Sequence, residues 1–394
     1  MSPKRCSGSC ARRARSTSPN WSCSPRGMSS EPVVCRGPHR RGPILRGKFV
    51  NDLKLTSLAR MGGCSCKLGA EDLAQLCSMP EVRRAMLPGL VPDDAAIVPI
   101  GDGKVLVSSV DFQNAVVDDA LLAGEIAARN ALSDIFACGL PPRYAEVVLV
   151  VPYDDDSGEI GADLMRGIAR ACEEDGCAIV GGHTIRGETP IVGLSVFSIA
   201  PAEHVKRKSG AAPGDLLMFT KPLGNGIAVA AWQQGLLRRE DYAQAVSVLR
   251  RSNRIGARLG PEPGVSAMTD ITGFGLLGHM SEMAERSGVA LRLDAGALPL
   301  LPGVLDAARD GAVPPLAEDN LRAHQGGVEF RAWSGRPERL LLCDPQTNGG
   351  LLLAVRPQAR SRIEAMFAED GVDLWTIGEA VPRREGGPWV EVCA

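Results

Sequence analysis

At 394 residues the chain is too long to be a small disulfide-stapled module, and at about 150 residues per domain it has room for two or three domains. Its 44% hydrophobic and 23% charged residues, with a formal net charge of −2, are the composition of a folded soluble protein and exclude wholesale disorder. No stretch approaches the roughly 18 apolar residues of a bilayer span, and the greasiest runs, such as Val147 to Val151, have strand length, so no membrane partner is expected.

In chain order, residues 1–53 come first and read as a disordered basic extension. Residues 1–50 hold eleven Lys or Arg against one acid, Glu31, which places +10 there and −12 on the rest of the chain. They also carry four of the twelve cysteines, many Ser, Pro and Gly, and no periodic apolar pattern. A targeting segment, a nucleic-acid-binding arm, and an extension absent from the mature product compete for this tail, the last because Met28 and Met61 offer later starts. The acidic body is not expected to bind nucleic acid. Its cysteines, at positions 64, 66, 77, 138, 172, 177, 343 and 393, form no regular framework, which fits reduced thiols in a cytoplasmic protein.

From Lys54 onward, β-rich runs alternate with helical ones, an α/β or α+β pattern. Strands are expected at 104–110, 144–151, 178–180 and 191–199, with helices over 120–138 and 160–174. The second helix carries apolar or small residues at 160, 161, 164, 167, 168 and 171. Lys208 to Pro213 has linker composition and separates a first half, 54–209, from a second, 210–394. The second half reads as strand 216–220, helices 224–234 and 242–259, strand 265–268, helix 274–286, strands 290–293, 340–343 and 351–355, and helix 358–367.

Five acids stand at the ends of these elements or within them: Asp93 and Asp94 before Ala-Ala-Ile-Val, Asp111, Asp134 and Asp270. Carboxylates flanked by apolar sequence are costly to bury unless paired or bound to a cation. Mg²⁺ takes a few carboxylates and leaves other positions to water and phosphate oxygens, so acids from separate segments suit a metal–nucleotide complex. Taken singly, each Asp is equally a helix cap or strand end. Asn130 and Asp134 lie one turn apart on one helix face among small and apolar neighbours, where both can reach one ligand. Gly181-Gly182-His183-Thr184 and Gly224-Asn225-Gly226 offer backbone N–H groups to a phosphate or are ordinary turns. Gly182 and Gly187 have P-loop spacing, but Glu188 stands where Lys is required. Gly273-Phe-Gly275-Leu-Leu-Gly278 has the form of a dinucleotide fingerprint, against which stands Asp270 close to where a pyrophosphate would dock.

The sharpest local feature is Gly62-Gly63-Cys64-Ser65-Cys66-Lys67. Glycines let the segment bend over a ligand, Lys67 can meet a phosphate, and an ammonium beside a thiol favours thiolate. A nucleophilic chalcogen carrier, a plain flexible loop, and half of a soft-metal site all fit this pattern.

Taken together and in order, this loop, Asp93-Asp94-Ala-Ala, Asn130 to Ala137, Gly181 to Thr184, Thr220 to Gly224, Met268 to His279 and Asp344 to Gly350 resemble segments of the selenophosphate synthetases, within the aminoimidazole ribonucleotide synthetase-like superfamily. The resemblance runs from about Lys54 to the C-terminus, and its specific element is Cys-x-Cys-Lys. It implies a two-domain fold whose N-terminal half (54–209) binds ATP and pairs in a homodimer, followed by a C-terminal α/β half (210–394). It further implies that ATP, selenide and water give selenophosphate, AMP and phosphate. By motif, Cys64 holds the Cys or selenocysteine position and Lys67 the phosphate-binding lysine. Asp94, Asp134 and Asp270 fall on Mg²⁺-ligand positions, and Asp93, Asp111, Gly182, His183 and Thr184 on nucleotide-contact positions. The sequence departs from that pattern at Val91-Pro92, where relatives often have polar residues, and at Asn348, where the usual residue is Ser. A non-catalytic thiol or soft-metal carrier, and a kinase of the same superfamily acting on another small substrate, are the rival expectations.

Overall fold

The computed structural model describes residues 54–59, 61–89, 91–153 and 157–394; the expected basic extension, 1–53, lies outside the described residues. After a short turn carrying Cys64–Cys66 come two small helices, α1 (Ala70–Ser78) and α2 (Pro80–Ala85), neither of which the sequence reading anticipated. The first half then builds β1 (Ala96–Gly101), β2 (Lys104–Asn114), α3 (Ala120–Ala137), β3 (Tyr144–Pro152), α4 (Ser157–Glu174), β4 (Ala178–Gly187) and β5 (Ile191–Pro201). These strands make one sheet in the order β1-β2-β5-β3-β4, antiparallel except for β3 with β4. That parallel pair is joined through α4, as parallel neighbours require a long crossover.

Strand alternation sorts this sheet into two faces. Val105, Val107, Asp111 and Gln113 of β2 point inward and are buried, whereas Val110 and Phe112 point outward and are exposed. α3 and α4 cover the inner face. Asp119 caps α3 by accepting from the Leu122 amide at 2.8 Å. Most of α3 is buried, its small Ala residues letting it pack closely while Glu125, Arg129, Asn130 and Ser133 are buried with it. α3 and α4 cross at two glycines. A Cβ on Gly124 would stand 2.1 Å from the Leu164 carbonyl oxygen, and one on Gly167 would stand 2.0 Å from that of Leu121.

The second half comprises β6 (Leu216–Phe219), α5 (Asn225–Gln233), α6 (Arg239–Arg250), α7 (Ile255–Leu259), β7 (Val265–Asp270), α8 (Gly275–Ser287), β8 (Ala290–Asp294), α9 (Val304–Arg309) and α10 (Pro315–His324). It closes with β9 (Val328–Phe330), α11 (Arg336–Leu342), β10 (Leu351–Val355), α12 (Arg360–Glu369), β11 (Trp375–Val381) and β12 (Val390–Cys393). Its sheet runs β7-β10-β6-β11-β8-β12-β9, and β10, between β7 and β6, is wholly buried. Separate apolar clusters fill this half and the first, one gathered around Leu217, Leu291 and Leu352, the other around Ile126, Leu132 and Leu194.

Several expected elements change. Leu340 to Cys343, expected as a strand, is the end of helix α11: a short apolar run reads equally as buried strand or buried helix, and Pro337 in the first turn starts the helix. The single helix expected over 242–259 begins earlier, at Arg239, and breaks between Arg250 and Ile255. There the carbonyls of Leu249 and Arg251 accept from the Asn348 side chain, and Arg251 also from Lys221. The strand expected at 178–180 runs on to Gly187, so Gly181 to Thr184 are strand rather than turn.

Candidate functional site

A cavity of about 640 Å³ opens between the two halves. β2 contributes Ser109, Asp111 and Gln113, α3 contributes Asp134, and the segment before β1 contributes Asp93 and Asp94. The second half supplies Thr272, Gly273, Phe274 and His279 from the turn after β7 and from α8, while Cys66, Lys67, Leu68 and Leu73 close one side. Sequence positions far apart therefore converge because strand ends and a helix face meet at one cleft.

Lys67 reaches across the cavity edge and its Nζ donates to Asp111 Oδ2 at 2.7 Å; the same oxygen accepts from Asn130 Nδ2 at 2.6 Å. Burial alone would lower the Lys67 pKa, but the carboxylates of Asp111 and Asp134 oppose it, and the ammonium is held well above its ordinary range. Asp270 accepts from Ser133 Oγ at 2.6 Å, and Asp134 accepts from Ser109 Oγ. Asp94 Oδ1 accepts from Thr269 Oγ1 at 2.9 Å and lies 3.0 Å from Lys208 Nζ.

Electrostatically these three acids form one group. Burial pushes Asp94 up to about 8, a rise opposed by Lys208 and reinforced by Asp270 and Asp93. Burial and then the Asp270 charge hold Asp134 well above the carboxylate range, and burial likewise raises Asp270. Asp94 Oδ2 and Asp270 Oδ1 are buried with no hydrogen-bond partner. Uncompensated buried carboxylate oxygens of this kind fit a hard cation. Among the described residues no three His, Cys, Asp or Glu side chains close around an ion by themselves.

Cys64 is fully buried, with its Sγ 3.4 Å from Asn130 Oδ1, and burial pushes its thiol up to about 12. Cys66 is half-buried and lines the cavity.

Asp93, Asp94, Asp111, Asp134 and Lys67 line the cavity. Asn130 lies behind its wall, tied to the lining Asp111, and Cys64 packs on Asn130, whereas Asp270 does not line the cavity and is held by Ser133 of α3. Gly182, His183 and Thr184 lie elsewhere, on the exposed edge strand β4, outside the cavity of the same chain. The amides of Gly224 and Asn225 donate to Gln346 Oε1, and those of Gly226 and Ile227 to Asp344 Oδ2, so this helix start is capped by protein rather than open to a phosphate. Asp294, which ends β8, caps a turn through the Gly296 and Ala297 amides.

Sequence reasoning missed Lys208, which sits inside the supposed linker yet is buried between Asp94 and Glu282. It missed His279 as a site residue as well. The ring accepts from the Thr272 amide at 3.2 Å, and burial, then Lys208, lowers its pKa to about 3. His279 was within reach, since it ends the Met268 to His279 segment. No spacing signal points to Lys208.

Two family models match the chain: AIR synthase related protein, N-terminal domain, over residues 92–200, and AIR synthase related protein, C-terminal domain, over 212–391. The chain is 41% identical over 346 residues to a selenide, water dikinase of Escherichia coli (strain K12), covering 87% of this chain and 99% of the relative. A thiamine-monophosphate kinase from Stenotrophomonas maltophilia K279a superposes with a TM-score of 0.58 at 21% identity, over 79% of this chain and 93% of that one. The hydrogenase maturation protein HypE, solved in complex with ATP, superposes with a TM-score of 0.56 at 20% identity, over 80% and 88%. These two likenesses establish the fold alone. The identity over nearly the whole body, with the mixed α/β architecture, places the chain in the selenide, water dikinase family of kinase-type enzymes, on an AIR synthase-like fold.

Proposed function

We propose that the chain converts ATP, selenide and water into selenophosphate, AMP and phosphate. The observation that carries this reading is the gathering, in and behind the wall of one cavity, of three carboxylates raised by burial, a lysine and a sheltered thiol. Phosphoryl transfer rests mostly on positioning and charge neutralisation, and these groups supply both. Asp94, Asp134 and Asp270 would hold Mg²⁺, which when bound neutralises the triphosphate and completes the coordination that the orphaned oxygens of Asp94 and Asp270 begin. Lys67 supplies a permanent positive charge to the transferring phosphoryl group. Asp111 orients that ammonium, Asn130 orients Asp111, and Asp93 lines the same wall.

Cys64 handles or shields the selenide. Burial, which pushes its thiol up to about 12, and its packing against Asn130 support a sheltering role over attack as a thiolate. A cytoplasmic setting is supported by the free state of all eight described cysteines.

In the proposed homodimer the exposed outer face of the first sheet is the pairing surface, and Gly182, His183 and Thr184 serve a nucleotide bound with the partner's help. Their place on the exposed edge strand, away from the cavity of their own chain, supports that division of labour.

The test is phosphorus NMR of the full chain with Mg²⁺ and ATP, with and without selenide. The expected result is a selenophosphate resonance and AMP that both depend on selenide. ADP as the final nucleotide, or AMP formed equally without selenide, would refute the assignment.

A further inference from the structure

The thiol-bearing turn is held from the opposite half of the molecule. The Cys64 amide donates to Thr347 Oγ1 at 2.9 Å across 283 positions of sequence, in a fully buried contact. Thr347 is itself immobilised on both sides of its backbone. Its amide donates to Asn225 Oδ1 at 3.0 Å, and its carbonyl accepts from Asn225 Nδ2 at 2.9 Å. The next residue continues the connection: the Asn348 amide donates at 2.6 Å to Asn130 Oδ1, the same oxygen that lies 3.4 Å from Cys64 Sγ. One carboxamide thus receives the thiol and the second-half loop, while its nitrogen donates to Asp111 at 2.6 Å.

The fit on the turn side is equally tight. Gly63 has φ 60° and ψ −151°, a conformation open essentially to glycine, and a Cβ there would stand 2.1 Å from Thr347 Oγ1 and 2.7 Å from Val116 Cγ1. The Gly63 amide donates to the Asn114 carbonyl at 3.0 Å, so the turn is hinged on β2 and clasped by Thr347.

We infer that Thr347 is a positioning residue for Cys64: its hydroxyl, presented by a rigid loop of the C-terminal half, holds the thiol turn closed over the site and sets the sulfur against Asn130. The geometry of the clasp stands by itself, and its effect on turnover rests on the selenide reading above. A threonine whose hydroxyl only packed would contribute nothing specific to the accessibility of one cysteine, and that difference can be measured.

The experiment labels the full chain with iodoacetamide and follows Cys64 and Cys138 by peptide mass spectrometry, with buried Cys138 as the internal standard. Thr347→Val keeps the side-chain shape but removes the acceptor. It is expected to speed Cys64 labelling roughly ten-fold, the factor belonging to one buried hydrogen bond, while Cys138 stays protected. Thr347→Ser should label at the wild-type rate. Gly63→Ala, which disturbs the same contact from the turn, should match Thr347→Val. In turnover, Thr347→Val should lower kcat with KM for ATP unchanged, and Thr347→Ser should restore it. Wild-type labelling of Cys64 in Thr347→Val or in Gly63→Ala, or labelling in Thr347→Ser as fast as in Thr347→Val, would overturn the clasp. A wild-type chain that shows the expected labelling pattern but makes no selenophosphate would leave the clasp standing and remove the functional reading instead.

Discussion

At the residue scale, Asp270 displays the tension between fold and chemistry. It is 1% exposed, one oxygen accepts from Ser133, the other has no partner, and burial raises its pKa. A carboxylate in that position destabilises the metal-free chain, because its desolvation is not repaid. Asp270→Asn keeps an oxygen for Ser133 and removes the charge. Metal-free, the variant should be more stable than wild type by about 1–3 kcal/mol, and Mg²⁺ should raise the melting temperature of wild type but not of the variant. Selenide-dependent AMP formation should fall by roughly 10² or more. Thermal unfolding in chelator and in Mg²⁺ checks this, and a metal-free variant that melts below wild type would contradict it. Asp270 was legible in sequence because its apolar flanks announce burial; Lys208 was not, because a lysine beside Ser-Gly-Ala-Ala-Pro reads as solvated linker. Asn348 shows what a substitution in a motif can mean. It sits at φ 47°, a left-handed conformation that Asn tolerates, and its Nδ2 donates to the Leu249 and Arg251 carbonyls at 2.7 and 2.8 Å. A serine hydroxyl has one proton and cannot make both bonds.

At the scale of elements, α3 is the part on which the site depends most, since it carries Asn130, Ser133 and Asp134 and is located by its crossing with α4. Gly124→Ala would press a methyl to 2.1 Å from the Leu164 carbonyl oxygen, a backbone atom that no rotamer change can move aside. The helices must separate, and the expected cost is about 1–3 kcal/mol in urea unfolding, as for overpacked cores. Because separation shifts α3 over the cavity, kcat should fall as well. An unchanged urea midpoint together with unchanged turnover would show that the crossing does not locate the site. Sequence legibility at this scale followed the strength of the periodic signal. α3, α4, β2 and β5 were readable because their apolar residues recur at helical or strand spacing. β4 was cut short because Gly181-Gly182 resemble a turn, although β3 pairs with them and carries them on as strand. α11 was misread because Leu340, Leu341 and Leu342 in a row have no period that separates a buried helix from a buried strand.

For the molecule as a whole, the outer face of the first sheet is the surface on which the proposed homodimer rests. Val110, Phe112, Tyr144 and Ile199 stand on that face, between 50% and 60% exposed, while the opposite face is covered by α3 and α4. A large exposed apolar face is a pairing surface or an aggregation hazard. Pairing two such faces would remove these side chains from water and bring each β4 edge near the partner chain, giving Gly182, His183 and Thr184 a nucleotide to meet. Ile199 is the cleanest probe, because it stands on the face but does not line the cavity. Ile199→Asp places a charge where the partner's apolar surface would desolvate it, a cost of several kcal/mol without a counter-ion. Yet it adds a solvated carboxylate to the isolated chain, which should fold with stability near that of wild type. Sedimentation is expected to show a wild-type dimer and a monomeric variant. Nucleotide affinity in the monomer should drop, although Lys67 and every cavity Asp remain in place. A wild-type chain that sediments as a monomer and turns over fully would remove the dimer, and a monomeric variant with undiminished ATP binding would return Gly182, His183 and Thr184 to a purely structural role on the strand.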